Sequence, residues 1–195
     1  DDYVMAQTGD DTLTTGSGSD EIYGGLDNDT INITDKSGAF TDTINGGAGT
    51  DTLNINYSGI TSLTDFTISK SGDITTLTDS SGGIINFESI ENLSVNSLNY
   101  TTYTGGYYVE GAYAGLTDVI WSPTEKILLS DGSGSIFYAS QMTTHLEGLG
   151  NSDDFEFIGD TNQDTINLNL NRSTYTGDFT INTGGGNDSM LSAKL

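Results

Sequence analysis

Gly46-Gly47-Ala48-Gly49-Thr50-Asp51-Thr52-Leu53-Asn54 sets backbone-permissive glycines, one carboxylate and one aliphatic residue in a fixed order. The same order recurs upstream at a nine-residue step, where Asp11, Asp20 and Asp29 stand two residues before Leu13, Ile22 and Ile31. A motif at a fixed period outweighs a single copy, because each occurrence must take an equivalent place in a repeating structure. Writing the unit as GGxGxDxUx, with U a large aliphatic, copies begin at Ala6, Thr15, Gly24, Ser37 and Gly46 and carry Asp11, Asp20, Asp29, Asp42 and Asp51. Four extra residues intrude between the third and fourth copies, a bulged loop around Ile33-Thr34-Asp35-Lys36, and the register then resumes. Weaker copies surround Asp153 with Phe155, Asp164 with Ile166 and Asp188 with Met190, and the tetrapeptide Asp-Thr-Ile-Asn starts at Asp29, Asp42 and Asp164.

The unit has a direct physical reading. Glycine at its first, second and fourth positions admits left-handed backbone and tight bends, which turn carbonyls toward a common centre. The residues after the aspartate, such as Thr30-Ile31-Asn32, form a short strand whose middle side chain points inward. Stacking such turns at about 4.8 Å crowds their aspartates, and two such charges repel by about 3 to 4 kcal/mol at an effective dielectric near 20. A bridging cation converts that repulsion into binding. Calcium suits the available donors, since it accepts about 6 to 8 oxygens in flexible geometry, whereas magnesium demands a tighter octahedron and keeps its waters. Zinc and copper prefer imidazole or thiolate, and the chain has one His and no Cys.

Composition agrees. With 28 acidic residues against 5 basic, a formal charge of -23 and 33% hydrophobic residues, the chain lies near the range of disordered polypeptides. The fixed spacing of its acids, its β-branched content and its single proline argue instead for a structure that folds when cations neutralise it. Nucleic acid is excluded as a partner, because phosphate neutralisation needs clusters of Lys and Arg and only Lys36, Lys70, Lys126, Arg172 and Lys194 are present. No apolar run approaches the roughly 20 residues of a membrane span, and Asp1-Asp2-Tyr3-Val4 forms no signal peptide. Both termini fall inside or beside the repeat pattern, so a longer parent chain is expected.

The copies GGAGTDTLN, TGSGSDEIY and GGLDNDTIN resemble the RTX, or haemolysin-type, calcium-binding nonapeptide repeat. The resemblance covers residues 6 to 54 and returns in fragments over 148 to 191. It implies an all-β fold, a parallel β-roll or β-solenoid in which two nonapeptides make one coil and Ca²⁺ lies between alternate copies. On that pattern Asp11, Asp29 and Asp51 line one edge while Asp20 and Asp42 line the other. Turn residues such as Gly18, Gly25, Gly47 and Gly49 would complete the metal shells through their carbonyls, and Asp164 and Asp188 would serve the later block. The sequence departs from the pattern where Asp27 and Phe40 replace the fourth-position glycine and where the first copy lacks its leading glycine pair. Phe tolerates a left-handed turn poorly, so the turn at Phe40 is expected to be distorted.

Three parts are therefore expected: a calcium-binding block over 1-56, an irregular β-solenoid and Tyr-rich segment over 57-147, and a degenerate repeat block over 148-195. From Tyr57 to Val95 apolar and polar residues alternate, as in Phe66-Thr67-Ile68 and Ile85-Asn86-Phe87, so the solenoid is expected to continue there without calcium. The stretch NFESIENLSV over 86 to 95 resembles segments that join repeat blocks in large bacterial surface proteins. Tyr100, Tyr103, Tyr107, Tyr108 and Tyr113, with Trp121 and Pro123 beyond them, read as a plug or edge cover of the fold, as an assembly contact, or as a platform for sugars. No catalytic residues are assigned: His145 has no second His or Cys beside it, pairs such as Asp10/Asp11, Asp153/Asp154 and Glu88/Glu91 are uninformative in so acidic a chain, and the glycine turns lack the lysine of a phosphate loop.

Functionally, the sequence points to a non-enzymatic, secreted module of a bacterial cell surface. The first expectation is a structural unit of a surface layer, fibre or adhesin that folds and self-assembles on calcium, head to tail, after export through a type I secretion channel. The second is a calcium-dependent secretion and folding module of a larger enzyme or toxin, in contact with adjoining domains. The third is a glycan-binding adhesin domain.

Overall fold

The segments Thr30–Thr34, Thr52–Asn56 and Asn92–Val95 alternate Ile, Leu or Val with Thr, Asn or Ser, the pattern of a ribbon buried on one face. A computed structural model describes residues 1–103, 116–117, 119–132, 134–138, 146–167 and 175–191. The strands are β1 (Tyr3–Thr8), β2 (Thr12–Thr15), β3 (Glu21–Leu26), β4 (Thr30–Thr34), β5 (Thr41–Ala48), β6 (Thr52–Asn56), β7 (Phe66–Ser71), β8 (Ile74–Asp79), β9 (Ile84–Glu88) and β10 (Asn92–Val95). They continue with β11 (Leu98–Tyr103), β12 (Leu116–Thr117), β13 (Val119–Ser122), β14 (Ile127–Ser130), β15 (Ile136–Tyr138), β16 (Phe155–Ile158), β17 (Thr165–Asn167), β18 (Phe179–Asn182) and β19 (Ser189–Leu191). The chain divides into two compact units, Asp1–Tyr100 and Thr101–Leu195, where the sequence pattern suggests three parts.

In the first unit strands β1 to β6 alternate between two sheets. One runs β1-β3-β5-β9-β8-β7, and β10, β6, β4 and β2 lie in that order in the other. Their pairing is parallel from β1 through β3 and β5 to β9, and from β2 through β4 and β6 to β10, so Leu13 stacks on Ile31, Ile31 on Leu53 and Leu53 on Leu93. Ile22, Ile31, Ile33, Ile44, Leu53 and Ile55 are buried from these strands. The stack then changes character. β9, β8 and β7 pair antiparallel, with Leu77 opposite Ile85 and Ile68 opposite Leu77. The bend between β8 and β9 is fixed by Asp79, whose Oδ1 accepts from the Ser81 and Gly83 amides at 2.7 and 2.9 Å and whose Oδ2 accepts from the Tyr57 hydroxyl at 2.8 Å. Burial pushes the Asp79 carboxyl up, but these donors outweigh it and hold it below its usual range.

The second unit also mixes directions. β11, β13 and β14 pair antiparallel, β14, β16 and β18 pair parallel, β12 pairs antiparallel with β15, and β15, β17 and β19 pair parallel. Its core is aromatic: Trp121, Phe137, Phe155 and Phe157 are buried, and the Phe155 ring stacks at 4.8 Å on that of Phe179. The Trp121 indole donates to the Glu147 carbonyl at 2.9 Å, which satisfies its one polar atom.

These observations correct the expected parallel β-roll or β-solenoid. Each of the two units is compact and mixes parallel with antiparallel strand pairs instead of repeating a single parallel coil. A period-two pattern specifies a half-buried strand but not the direction of its partner, so Phe66-Thr67-Ile68 and Ile85-Asn86-Phe87 fit an antiparallel pairing as well as a coil. The surface-layer, fibre or self-assembling adhesin reading falls with the solenoid, because rigid length from stacked coils requires one register to run the whole chain. Type I secretion of a chain-long calcium repeat loses its basis for the same reason. Tyr100 is buried and its hydroxyl accepts from the Leu63 amide at 3.1 Å; Tyr107, Tyr108, Tyr113 and His145 lie outside the described residues.

Leu53 is fully buried between Ile31 and Leu93. Leu53→Ala should lower unfolding free energy by about 2–5 kcal/mol, read as a drop in denaturant midpoint at saturating calcium; a loss below about 1 kcal/mol would contradict this packing.

Candidate metal centre

The alternation of strands between two sheets collects the predicted aspartates into two ladders. In the first, the Asp11 amide donates to Asp29 Oδ1 at 2.9 Å and the Asp29 amide to Asp51 Oδ1 at 2.8 Å. The Asp51 amide then donates to Glu91 Oε2 at 2.8 Å, so Glu91 takes the place of the next aspartate. Glu91 precedes Asn92 and Leu93, which pair with Thr52 and Leu53, so an acid followed two residues later by a buried leucine is the signal that would have revealed it.

Asp29 and Asp51 each spend Oδ1 on the amide of the preceding aspartate. The second oxygens, Oδ2 of Asp11, Asp29 and Asp51, are buried without any hydrogen-bond partner, and Asp29 and Asp51 are only 1% and 0% exposed. A buried ionised carboxylate costs several kcal/mol unless it is paired, so these oxygens require a cation or a proton. Burial raises the Asp51 carboxyl above its usual range, opposed by the Asp29 amide and reinforced by the charges of Glu91 and Asp29. The surrounding backbone leaves room only for glycine: a Cβ on Gly24 would collide with Asp29 Oδ2 and the Gly46 carbonyl, and one on Gly46 would collide with the Ser89 carbonyl and Asp51 Oδ2.

Among the described residues no three His, Cys, Asp or Glu side chains converge on one point. A cation at these turns would therefore take one or two carboxylates and draw its remaining oxygens from the main chain. All of these donors are oxygen, the preference of calcium, so the residues present fit that ion.

The other predicted glycines serve close stacking. A Cβ on Gly47 would strike the Gly25 carbonyl, and one on Gly49 would strike the Asp27 carbonyl. Asp27 substitutes for glycine in its own turn by adopting φ 76°, whereas Phe40 stays out of the left-handed region and is buried, edge-on to Tyr57 at 5.7 Å. The distortion expected at Phe40 is thus resolved by abandoning the glycine-like conformation.

The second ladder differs in its chemistry. The Asp2 amide donates to Asp20 Oδ1 and the Asp20 amide to Asp42 Oδ1, each at 2.9 Å. Lys36 enters between them: its Nζ lies 2.6 Å from Asp20 Oδ2, 2.9 Å from Asp42 Oδ1 and 2.9 Å from the Gly18 carbonyl. Burial pushes the Asp20 carboxyl up, yet the Lys36 hydrogen bond and the Asp2 amide hold it below its usual range; at Asp42 burial prevails over Lys36 and the carboxyl is raised.

In the second unit the Ser135 amide donates to Asp164 Oδ1 at 2.8 Å and the Asp164 amide to Asp188 Oδ1 at 3.0 Å. Asp164 is fully buried with Oδ2 unpartnered, and a Cβ on Gly159 would collide with that oxygen and the Thr183 carbonyl. Asp153 stands apart from this ladder, accepting from the Gly150 amide at 2.8 Å.

Residues 1–31 and 37–54 match the RTX calcium-binding nonapeptide repeat (4 copies). The first 54 residues thus carry an RTX-type repeat, and the calcium chemistry it denotes belongs to that region rather than to the whole chain. No curated protein matches the chain.

Asp29→Asn and Asp51→Asn should each weaken calcium binding by at least about tenfold, or 1.4 kcal/mol, in isothermal titration; unchanged affinity in both would contradict a metal at these turns. The raised Asp51 carboxyl also sets a pH dependence. An acid whose folded pKa exceeds its unfolded value contributes stability below the unfolded value and loses it as pH rises through the folded one. The metal-free protein should therefore gain stability from Asp51 on mild acidification, whereas calcium, which needs the ionised form, should bind more weakly and release protons. The calcium-induced rise in Tm should shrink as pH falls from neutrality through the raised folded-state pKa of Asp51, and a constant or growing rise would contradict the assignment.

Proposed function

We propose that the chain is a calcium-dependent folding module of a larger secreted protein, an enzyme or toxin whose active part lies elsewhere. The observation that carries this reading is the row of buried, unpartnered oxygens on Asp11, Asp29 and Asp51 in a chain of formal charge -23. Such a ladder is self-repelling until a cation enters, so the folded state gains stability with the logarithm of calcium concentration above the Kd. A ligand that binds only the folded form at 100 times its Kd adds about 2.7 kcal/mol per site, enough to decide the folding of a marginal domain. Calcium is scarce in cytoplasm and abundant outside cells, so such a block would become ordered after export and make folding of the parent chain conditional on location.

The same donor arrangement at Asp164, with Asp188 and the Thr183 carbonyl beside it, supports a further calcium site in the second unit. The packed aromatic core around Phe137 and Phe155 gives that unit a source of stability that owes nothing to metal. Calcium should accordingly matter most to residues 1–54.

The test is thermal unfolding of the chain with millimolar calcium, with millimolar magnesium and with chelator. Calcium should raise Tm by several degrees for each site filled, about 2–4 °C per kcal/mol at this chain length, and magnesium should not substitute. Equal Tm in calcium and chelator would reject the proposal.

A further inference from the structure

The loop inserted between the third and fourth copies, which the repeat match skips over from residue 31 to residue 37, delivers one side chain to the second ladder. Asp35 turns the chain at φ 55°, and the Lys36 side chain that follows is wholly buried. Its three hydrogens face three acceptors, Asp20 Oδ2, Asp42 Oδ1 and the Gly18 carbonyl. The Phe40 ring lies 5.1 Å from Nζ and adds a cation–π contact. Phe40 and Gly18 are the fourth-position residues of their copies, so the ammonium sits amid turn elements equivalent to those around Asp29 and Asp51. At Asp29 and Asp51 the corresponding Oδ2 atoms have no partner; at Asp20 that oxygen holds the lysine.

We infer that Lys36 is a built-in cation that takes the place of a metal ion at the Asp20/Asp42 turn, so that this side of the repeat block orders without calcium while the Asp29/Asp51 side depends on it. The Asp2 amide takes Oδ1 of Asp20 and Lys36 takes Oδ2, so neither oxygen of Asp20 is left for a divalent ion. A lysine tethered six residues from Asp42 is present at high effective concentration whatever the calcium supply. It brings one positive charge where calcium brings two, and Asp42 Oδ2 stays unpartnered as the oxygen Lys36 does not reach. The repeat thus contains one constitutive ladder and one calcium-gated ladder, and the inference deepens the folding-module reading by dividing the block between them.

Equilibrium dialysis with radioactive calcium on the full chain separates the two ideas. Lys36→Met keeps the length and apolar stem of the side chain and removes its charge, so at saturating calcium it should bind a single ion more than the wild type, and the double variant Lys36→Met/Asp42→Asn should lose that ion again. In chelator, Lys36→Met should be less stable than the wild type, and calcium should restore it. The inference is overturned if Lys36→Met binds no more calcium than the wild type, or if Asp42→Asn alone removes an ion from the wild type. A wild type that binds no calcium at all rejects the folding-module reading, while a Lys36→Met chain that then acquires an ion still supports the role of Lys36.

Discussion

An aspartate amide that donates to the carboxylate of the next coil fixes only one of that carboxylate's two oxygens, and the remainder of this structure follows from what happens to the other. The parallel register of β1, β3 and β5, and of β2, β4 and β6, holds each aspartate directly against its neighbour. The aliphatic two residues further on is then buried by the same geometry, so core and acidic ladder are two consequences of one repeat. Neither can form without bringing carboxylates together in a medium of low dielectric. The second oxygen must be neutralised for the core to close.

Two solutions operate side by side. Along Asp11, Asp29 and Asp51 the oxygens await an external cation, and Glu91 ends the series by accepting the last amide. Along Asp20 and Asp42 the chain supplies Lys36, and the series ends because Ile85 rather than an acid pairs with Asp42. Asp79, fully supplied with donors by Ser81, Gly83 and Tyr57, is an acid used for a turn instead of a metal, which shows that acidity alone does not mark a site.

Much of the N-terminal site was legible because each copy carries its own register. The resemblance to the nonapeptide repeat implied Asp11, Asp29 and Asp51 along one edge and Asp20 and Asp42 along the other, and the amide hydrogen bonds link Asp11 to Asp29, Asp29 to Asp51 and Asp20 to Asp42. The role of Lys36 was not legible, since a four-residue insertion reads as a bulge and nothing in its composition says where its side chain ends. Glu91 was hidden by lacking a glycine turn before it. The direction of β7, β8 and β9 was hidden more deeply, because alternating residues such as Phe66-Thr67-Ile68 serve parallel and antiparallel neighbours alike; the tight turn Ser71-Gly72-Asp73 was the local sign of a hairpin. In the second unit the degenerate copies carry Asp164, Asp188 and the core residue Phe155, while Trp121, Phe137 and Phe157, which pack with it, lie outside the repeat positions.

The central claim is that a cation completes the buried carboxylates of the Asp29 ladder. A crystal structure grown with calcium and recorded with anomalous scattering tests it directly. The account predicts a peak within about 2.3–2.6 Å of Asp29 Oδ2 or Asp51 Oδ2, with main-chain carbonyls filling the shell. Maps without such a peak at millimolar calcium, and with those oxygens protonated or bonded to water in an unchanged fold, would contradict it.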